Sequence, residues 1–574
     1  MTNPNTSATT STFNLSGNLN LDSLLDEAHI KWGGALGTGV NLSFSFPWTN
    51  GNLATWQPGY SDEPSAAEHF GFNDTQIIAV RSAFQAWENV ANLNFDEVSE
   101  SNLNVGDFRF AFSSALPSSA WGWSGYPNDY WASAADVWVN STYGRDTDWS
   151  AGTYNYEALL HEIGHGLGLK HPGNYGGSSA PYLPSSLDVR NYTIMSYNDP
   201  INEWYWDGGK NVSVFVARET PMVYDIQAIQ YLYGANTGYH TGDDIYNFDP
   251  HTPFYKTIWD AGGIDTIDIS NYSLDSIISL IPGSYSKVSF YSQPTGDTRA
   301  WYDGSDSLGI AFGAIIENAN GGSGSDILSG NNADNVLNGG DGNDQLYGGI
   351  GNDTFDWESN LRSGNDTMYG GLGDDVYVFD SSSDAVIEYP GEGTDTVWAS
   401  DSFVIGSFPD VENLYLFGDK SINATGNEVA NGLKGNDQDN VLIGYAGDDS
   451  LDGGIGNDDL DGGAGDDQLV GGIGNDILRA GYNHDTLNGG TGNDTFGFYA
   501  LGHFQISDFA NSEDRLFFDS SKIGVSNLHD LVGYITNINQ DSDGVTIEFG
   551  VNASIELVGI NLNQIIADTI VFTL

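Results

Sequence analysis

Apolar positions fall at helical spacing from Asp74 to Ala91. There Ile77, Val80, Phe84, Trp87 and Ala91 make one stripe and predict an amphipathic helix whose aromatic residues are core. Leu21 to Lys31 reads as a shorter helix, and the Ser/Thr/Asn-rich residues 1 to about 20 as disordered or removed. Period-two alternation marks strands at Asn41 to Phe46 and at Ala135 to Asn140. Tyr154 to Leu167 predicts a helix, and Pro221 to Tyr233 another that ends at Gly234. Beyond Gly234 the texture changes to short strands and glycine turns. From Gly321 a nine-residue period begins, restarting at Gly330, Gly339 and Gly348 and then, in shifted register, at Leu361 and Gly370. A second block starts at Gly435 and repeats at 444, 453, 462, 471, 480 and 489. Asp holds the sixth place in most copies, and Leu, Phe or Tyr follows most of these aspartates two places later. So strict a period excludes a flexible Gly/Asp linker. Residues 379 to 434, between the blocks, carry strand-like alternation such as Asp384 to Tyr389, and 501 to 574 reads as capping strands.

Composition changes this picture in three ways. A chain of 574 residues is too long for one core. Its net charge of −61, from 78 acidic and 17 basic residues, argues against nucleic acid and anionic membranes as partners. With 39% apolar residues the chain is not a disordered acidic tail, so bound cations are the economical way to neutralise its carboxylates. Calcium leads, because it prefers carboxylate and carbonyl oxygens. The absence of cysteine excludes disulfides, thiolate metal sites, cysteine catalysis and a thiolate cap on a metal from the leader. No apolar run approaches the ~20 residues of a membrane helix, and Met1 to Ser7 is too polar for a cleavable signal peptide.

The chemistry concentrates in His161-Glu162-Ile163-Gly164-His165-Gly166-Leu167-Gly168-Leu169-Lys170-His171. On a helix His161 and His165 share one face and can share a metal. Gly168 can take the left-handed conformation that ends the helix and returns His171 as a third ligand. Three protein ligands leave one position for water, as in a catalytic zinc site. Glu162 lies beside that face, placed to take a proton from the water.

The H-E-x-x-H-x-x-G-x-x-H run resembles that of metzincin peptidases. Thr193-Ile194-Met195-Ser196-Tyr197 resembles their methionine turn, with Met195 structural. Pro172 after the third histidine, and Tyr197 two residues after the methionine, narrow the resemblance to the serralysin branch. It implies one catalytic zinc on His161, His165, His171 and Tyr197. Tyr197 would move aside for substrate and stabilise the oxyanion, while Glu162 is the general base. It also implies that the strand before the zinc helix, at 135–140, is a sheet edge on which extended substrate pairs.

The nonapeptide consensus G-G-x-G-x-D-x-U-x resembles the calcium repeat of repeats-in-toxin proteins. The calcium ligands so implied are Gly322, Gly324, Asp326, Gly340, Gly342, Asp344, Gly349, Gly351, Asp353, Asp366, Asp375, Asp449, Asp458, Asp467, Asp476, Asp485 and Asp494. Asn335 and Asn440 stand in weaker copies. Trp259 to Thr266 resembles a serralysin calcium loop, with Thr241 to Asp244 completing it. The resemblance assigns that loop Asp243, Asp260, Gly262, Gly263, Asp265 and Glu317, although serralysins carry Arg where His240 stands.

The expected fold is an α+β metzincin catalytic domain followed by an all-β parallel β-roll, a calcium-binding solenoid. Its domains are a leader (1–20), a catalytic domain (21–240) and a connecting β segment (241–320). Then follow a first roll block (321–378), a β spacer (379–434), a second block (435–497) and a C-terminal cap (498–574). Serralysins have one compact roll, so the second block departs from the pattern. Whether the blocks stack into one solenoid stays open at this level. The expected function is that of a secreted, extracellular, calcium-stabilised zinc metalloendopeptidase acting on proteins and peptides. Asp568 to Phe572 resembles the C-terminal signal read by type I secretion machinery, and the protein is expected to be monomeric. The alternative is a non-enzymatic β-roll adhesin or surface protein. An intact Glu162 and three histidines weigh against it.

Overall fold

The computed structural model describes residues 8–49, 54, 56, 60–101, 104–128, 134–176, 178–294, 296–356, 364–379, 384–510, 512–565 and 569–573. The repeat restart at Leu361, the start of the leader and Asp568 lie outside these residues. The chain divides into two units, Met1–Asp326 and Ile327–Leu574.

The first unit is built on a six-stranded sheet. Its strands include β1 (Val40–Ser45), β2 (Leu93–Glu97), β3 (Phe108–Ser113), β4 (Gly122–Ser124) and β5 (Val137–Asn140), in the order β2-β1-β3-β5-β4. The first four in that order run parallel, and β4 closes the row antiparallel to β5. The expectation that the strand at 135–140 is an edge is therefore corrected. Gly122-Trp123-Ser124 folds back over β5 and itself becomes the edge.

Helix α1 (Asp74–Val90) opens with a capping box between Asn73 and Gln76, and buries Ile77, Val80, Phe84 and Trp87 as the periodicity required. Helix α2 (Tyr154–Gly166) starts at Thr153, whose hydroxyl accepts the Tyr156 N–H. Helix α3 (Val223–Tyr233) stops at Gly234, where φ is 81°.

The helix expected over Leu21–Lys31 is corrected to one turn, Leu19–Asp22, followed by a strand at Ile30–Trp32. Leu24 and Leu25 are fully buried, and their segment crosses the end of α2 instead of coiling. Asp26 N–H bonds Gly168 O at 3.0 Å and Lys170 N–H bonds Leu24 O at 2.8 Å. The leader is structured from Thr10 to Thr12, a strand antiparallel to Ile30–Trp32.

In the second unit most repeat strands begin just after a sixth-position residue, as Thr354 follows Asp353 and Gln468 follows Asp467. One parallel sheet runs without a break from Val336–Asn338 through Thr354–Phe355, Val376–Phe379, Thr396–Ala399, Asn413–Leu416 and Gly432–Lys434 to Ser450–Ile455 and beyond. The spacer is thus part of one solenoid, and both blocks share this sheet. The facing strands form two sheets. One ends at Ala385–Ile387 and the other starts at Phe403–Val404. Leu337, Phe355, Tyr377, Val397, Leu414, Leu433, Leu451 and Leu469 stack inside, each nearly inaccessible. Each such burial is worth roughly 1.5–3 kcal/mol. Glycine is obligatory where turns stack. At Gly474, φ is 155° and a Cβ would lie 1.5 Å from Gly456 O. The expected cap carries strands and also two short helices, Ser520–Ile523 and Leu528–Tyr534.

Candidate metal centre

Helix α2 presents His161, Glu162 and His165, and the chain leaves it through Gly168, whose φ is 103°. The turn brings His171 back over the helix. His171 Nε2 lies 3.2 Å from His161 Nε2 and 3.0 Å from His165 Nε2. The other ring nitrogens are committed to backbone carbonyls, His161 Nδ1 to Ile194 O and His165 Nδ1 to Leu169 O, each at 2.7 Å. Those bonds place the protons on Nδ1, so the Nε2 atoms of His161 and His165 present lone pairs to the same point. Three converging lone pairs repel one another unless a cation sits among them. At a zinc–nitrogen distance of about 2.0–2.1 Å, a tetrahedral ion holds two ligand nitrogens about 3.3 Å apart. The spacing fits zinc. Burial keeps all three imidazoles neutral, holding His161 near 3, His171 near 4 and His165 well below its ordinary value.

Glu162 is 7% exposed beside β4. The Ser124 backbone bonds its carboxylate, while Oε2 is buried without a partner, and burial pushes the carboxyl up to about 8. Met195 is fully buried beneath the helix, where a Cβ on Gly164 would meet its Sδ at 2.8 Å. Tyr197 is 51% exposed and packs against His171, its ring tilted by 46° with centroids 4.3 Å apart. Burial, and then the charge of Glu162, pushes its phenol up to about 12. A cleft of about 390 Å³ opens here, lined by the Ser119–Gly122 segment, Tyr154, His161, Glu162, Arg190 and Tyr197.

Two supports were not foreseen. Asp225 accepts from Thr193 Oγ1 at 2.6 Å, from Ile194 N–H at 2.8 Å and from Met222 N–H at 2.9 Å, so α3 anchors the methionine turn. Asp188 accepts from Ser196 Oγ at 2.8 Å, from Asn198 Nδ2 at 2.9 Å and from the Tyr175 hydroxyl, which also receives Tyr197 N–H at 3.3 Å. These side chains lie far from α2 in sequence and carry no motif.

The loop expected to bind calcium at 259–266 is drawn together as follows. Asp243 Oδ1 accepts Ile264 N–H at 3.0 Å, Asp260 Oδ1 accepts Gly262 N–H at 2.8 Å, and Glu317 Oε2 accepts Asp265 N–H at 2.8 Å. Asp265 Oδ1 accepts Asp244 N–H, while its Oδ2 is buried without a partner. Gly262 and Gly263 take φ of 137° and 152°. His240 and Asp244, not among the expected ligands, converge on Asp260 within 4.8 Å.

In the repeats, Asp353, Asp375, Asp449, Asp458, Asp467, Asp476 and Asp485 behave alike. Each Oδ1 accepts a backbone N–H from the preceding turn, such as Asp449 N–H on Asp467 at 2.9 Å, and each Oδ2 is buried without a partner. Buried carboxylate oxygens without donors fit an oxygen-seeking cation. Asp366 and Asp494 accept the same way, from Asp344 and Asp476. Gly340, Gly342, Gly349 and Gly351 take φ between 99° and 134°. At Gly322 and Gly324 a Cβ would press on the Tyr272 and Leu274–Asp275 backbones.

Other loops close on themselves. Asn335 and Asn440 accept the N–H of Asn331 and Asn436 and donate Nδ2 to the same residues' Oδ1. Asn431 and Asn427 make a further such pair. Asp326 likewise accepts Gly322 N–H at 2.7 Å and Ser276 N–H at 2.6 Å.

Family comparison agrees with this geometry. The family described as Matrixin matches residues 68–192, Peptidase M10 serralysin C terminal matches 224–456, and the RTX calcium-binding nonapeptide repeat matches 461–496. Serralysin G of Dickeya chrysanthemi is 32% identical over 329 residues, 54% of this chain and 63% of its own. Serralysin of Proteus mirabilis is 32% identical over 330 residues, 52% and 62%. Serralysin B of Dickeya chrysanthemi is 34% identical over 333 residues, 53% and 62%. The chain thus spans less than two thirds of the length of these relatives. A solved subunit of the Azotobacter vinelandii mannuronan C5-epimerase aligns with 25% of this chain at 27% identity, with a TM-score of 0.18 that carries no argument. The chain thus carries a matrixin match, a serralysin C-terminal match and an RTX repeat match, and is similar to serralysins at 32–34% identity.

Proposed function

We propose that the protein is a secreted zinc metalloendopeptidase that hydrolyses peptide bonds of extracellular proteins, with calcium holding its solenoid. The observation that carries this reading is the convergence of three histidine nitrogens beside the buried, partnerless Oε2 of Glu162. His161, His165 and His171 would hold the zinc, and Tyr197, whose ring packs against His161 and His171, would serve as a further ligand. Bound there, zinc would acidify a water to a pKa of about 7 and polarise the scissile carbonyl.

The chain's own residues supply the rest. Substrate backbone in extended form pairs along β4, the edge strand that borders the cleft. Glu162, its Oε1 side fixed by the Ser124 backbone, turns Oε2 to the attacking water, takes its proton and delivers it to the departing amine. Its upward-shifted carboxyl suits both roles. The Tyr197 hydroxyl, high in pKa and therefore protonated, donates to the developing oxyanion.

Export fits the same reading. The C-terminal acidic-apolar run would address type I secretion machinery. A roll whose buried carboxylates need calcium would stay unfolded until it reaches an exterior where calcium is millimolar. Among the described residues no helix is long and apolar enough to cross a membrane. Cleavage of a random peptide library, abolished by stripping zinc and restored by adding it back, tests the activity and reports subsite preference. No cleavage by zinc-loaded protein would contradict it and favour a β-roll surface protein.

A further inference from the structure

Where the nine-residue period fails, the solenoid brings two carboxylates that no repeat aligns, Glu388 and Asp395, up to the sixth-position Asp375. Asp375 and Asp395 precede adjacent strands of the unbroken sheet, while Glu388 follows the last strand of the facing sheet, just before that sheet is interrupted. One oxygen from each lies within 4.8 Å of the others. Two calcium–oxygen bonds of about 2.4 Å span that distance.

The remaining bonds direct these oxygens inward. Asp375 Oδ1 accepts Asp353 N–H at 2.7 Å, and Asp395 Oδ1 accepts Asp375 N–H at 2.9 Å. Glu388 Oε1 accepts the Tyr377 hydroxyl. Asp375 is 0% exposed, yet its Oδ2 has no partner, and Glu388 Oε2 is buried without one. The space between them is kept by Gly370, where a Cβ would lie 2.1 Å from Asp375 Oδ2 and 2.4 Å from Glu388 Oε1. The charges acting on the trio are other carboxylates, among them Asp353, Asp374, Glu392 and Glu412. So much buried negative charge calls for a cation.

We propose that Asp375, Glu388 and Asp395 bind one calcium ion that ties the two sheets together at the break in the facing sheet. This ion would take ligands from both faces, and it would replace the strand pairing that is missing between Ile387 and Phe403. The inference is independent of the peptidase reading, because nothing in it uses the zinc site.

The test counts calcium ions on the full-length, zinc-loaded protein by native mass spectrometry. Glu388→Gln keeps the acceptor for the Tyr377 hydroxyl, and Asp395→Asn keeps the acceptor for Asp375 N–H, so each removes charge with its hydrogen bond retained. Each variant should carry one calcium fewer than the parent, with peptidase activity unchanged in saturating calcium. An unchanged count overturns the proposal. Should either fail to fold, Glu388→Asp withdraws the same charge by one methylene. It should lose that ion or bind it at least ~10-fold more weakly. Parental count and affinity in Glu388→Asp would overturn the proposal as well.

Discussion

Replacing Asp225 with asparagine should loosen the zinc site without touching a ligand. Asp225 Oδ2 takes the N–H groups of Ile194 and Met222, and the Ile194 carbonyl receives His161 Nδ1–H at 2.7 Å. The carboxylate thus fixes Ile194 through its N–H, and the carbonyl of the same residue aims a zinc ligand. In Asp225→Asn the single remaining oxygen cannot serve the Thr193 hydroxyl and the two N–H groups together, whichever way the amide turns. One or two buried donors left unpaired cost roughly 1–3 kcal/mol each. Part of this is recovered by neutralising a carboxyl that burial already pushes up to about 7. A net loss of about 2–3 kcal/mol follows, or a Tm lower by roughly 4–12 °C. Zinc affinity should fall about tenfold, the scale for losing an outer partner of a metal ligand. Thermal unfolding in saturating zinc and calcium gives the first quantity, and competition with a fluorescent chelator near neutral pH gives the second. A destabilised variant with parental zinc affinity would refute the relay through Ile194. Parental values of both would refute the role of Asp225 altogether.

Tyr197→Phe should lower kcat far more than it raises KM, since the hydroxyl acts only on the oxyanion, and a change confined to KM in steady-state kinetics would assign Tyr197 to substrate binding. Acid should have opposite effects on the solenoid with and without calcium. Burial raises Asp353, Asp458, Asp476 and Asp494 to about 6, and Asp375, Asp449 and Asp485 to about 7. Their contribution to the cation-free fold is therefore present below the unfolded value of about 3.9 and is lost as pH rises through 6 to 7. In chelator, acidifying from about pH 7.5 to about 5.5 should raise solenoid stability by circular dichroism; in calcium, which competes with protons for the same oxygens, it should lower it. The same sign under both conditions would refute the assignment of these oxygens to calcium.

Much of this arrangement is legible from sequence where period and spacing carry it. The α1 stripe, the i, i+4 histidines and Gly168 state their geometry directly, and the nonapeptides state theirs through repetition. Legibility ends where a residue acts through distant neighbours. Asp225 and Asp188 hold the methionine turn by side-chain acceptance, which no local pattern announces. Strand β4 is three residues long, too short to show alternation, so sequence alone shows only β5, which the resemblance makes the edge. The spacer hides its solenoid because the ladder of backbone N–H to acidic side chain keeps going at altered intervals. It steps by 18 residues from Asn335 to Asp353, then by 22 to Asp375, 20 to Asp395 and 17 to Glu412. A search at nine residues loses register there, although the bond repeats. The Leu21–Lys31 stretch has helical content, yet burial of Leu24 and Leu25 against the zinc loop overrides it.

The account turns on Glu162 as the base beside a three-histidine zinc site, and Glu162→Gln isolates that claim. The substitution keeps the side chain's size and leaves every histidine in place. Zinc content by elemental analysis and casein cleavage by the same preparation should therefore separate. The account predicts one zinc per chain, parental circular dichroism and activity reduced at least ~10²-fold. Near-parental cleavage by zinc-loaded Glu162→Gln protein would contradict it.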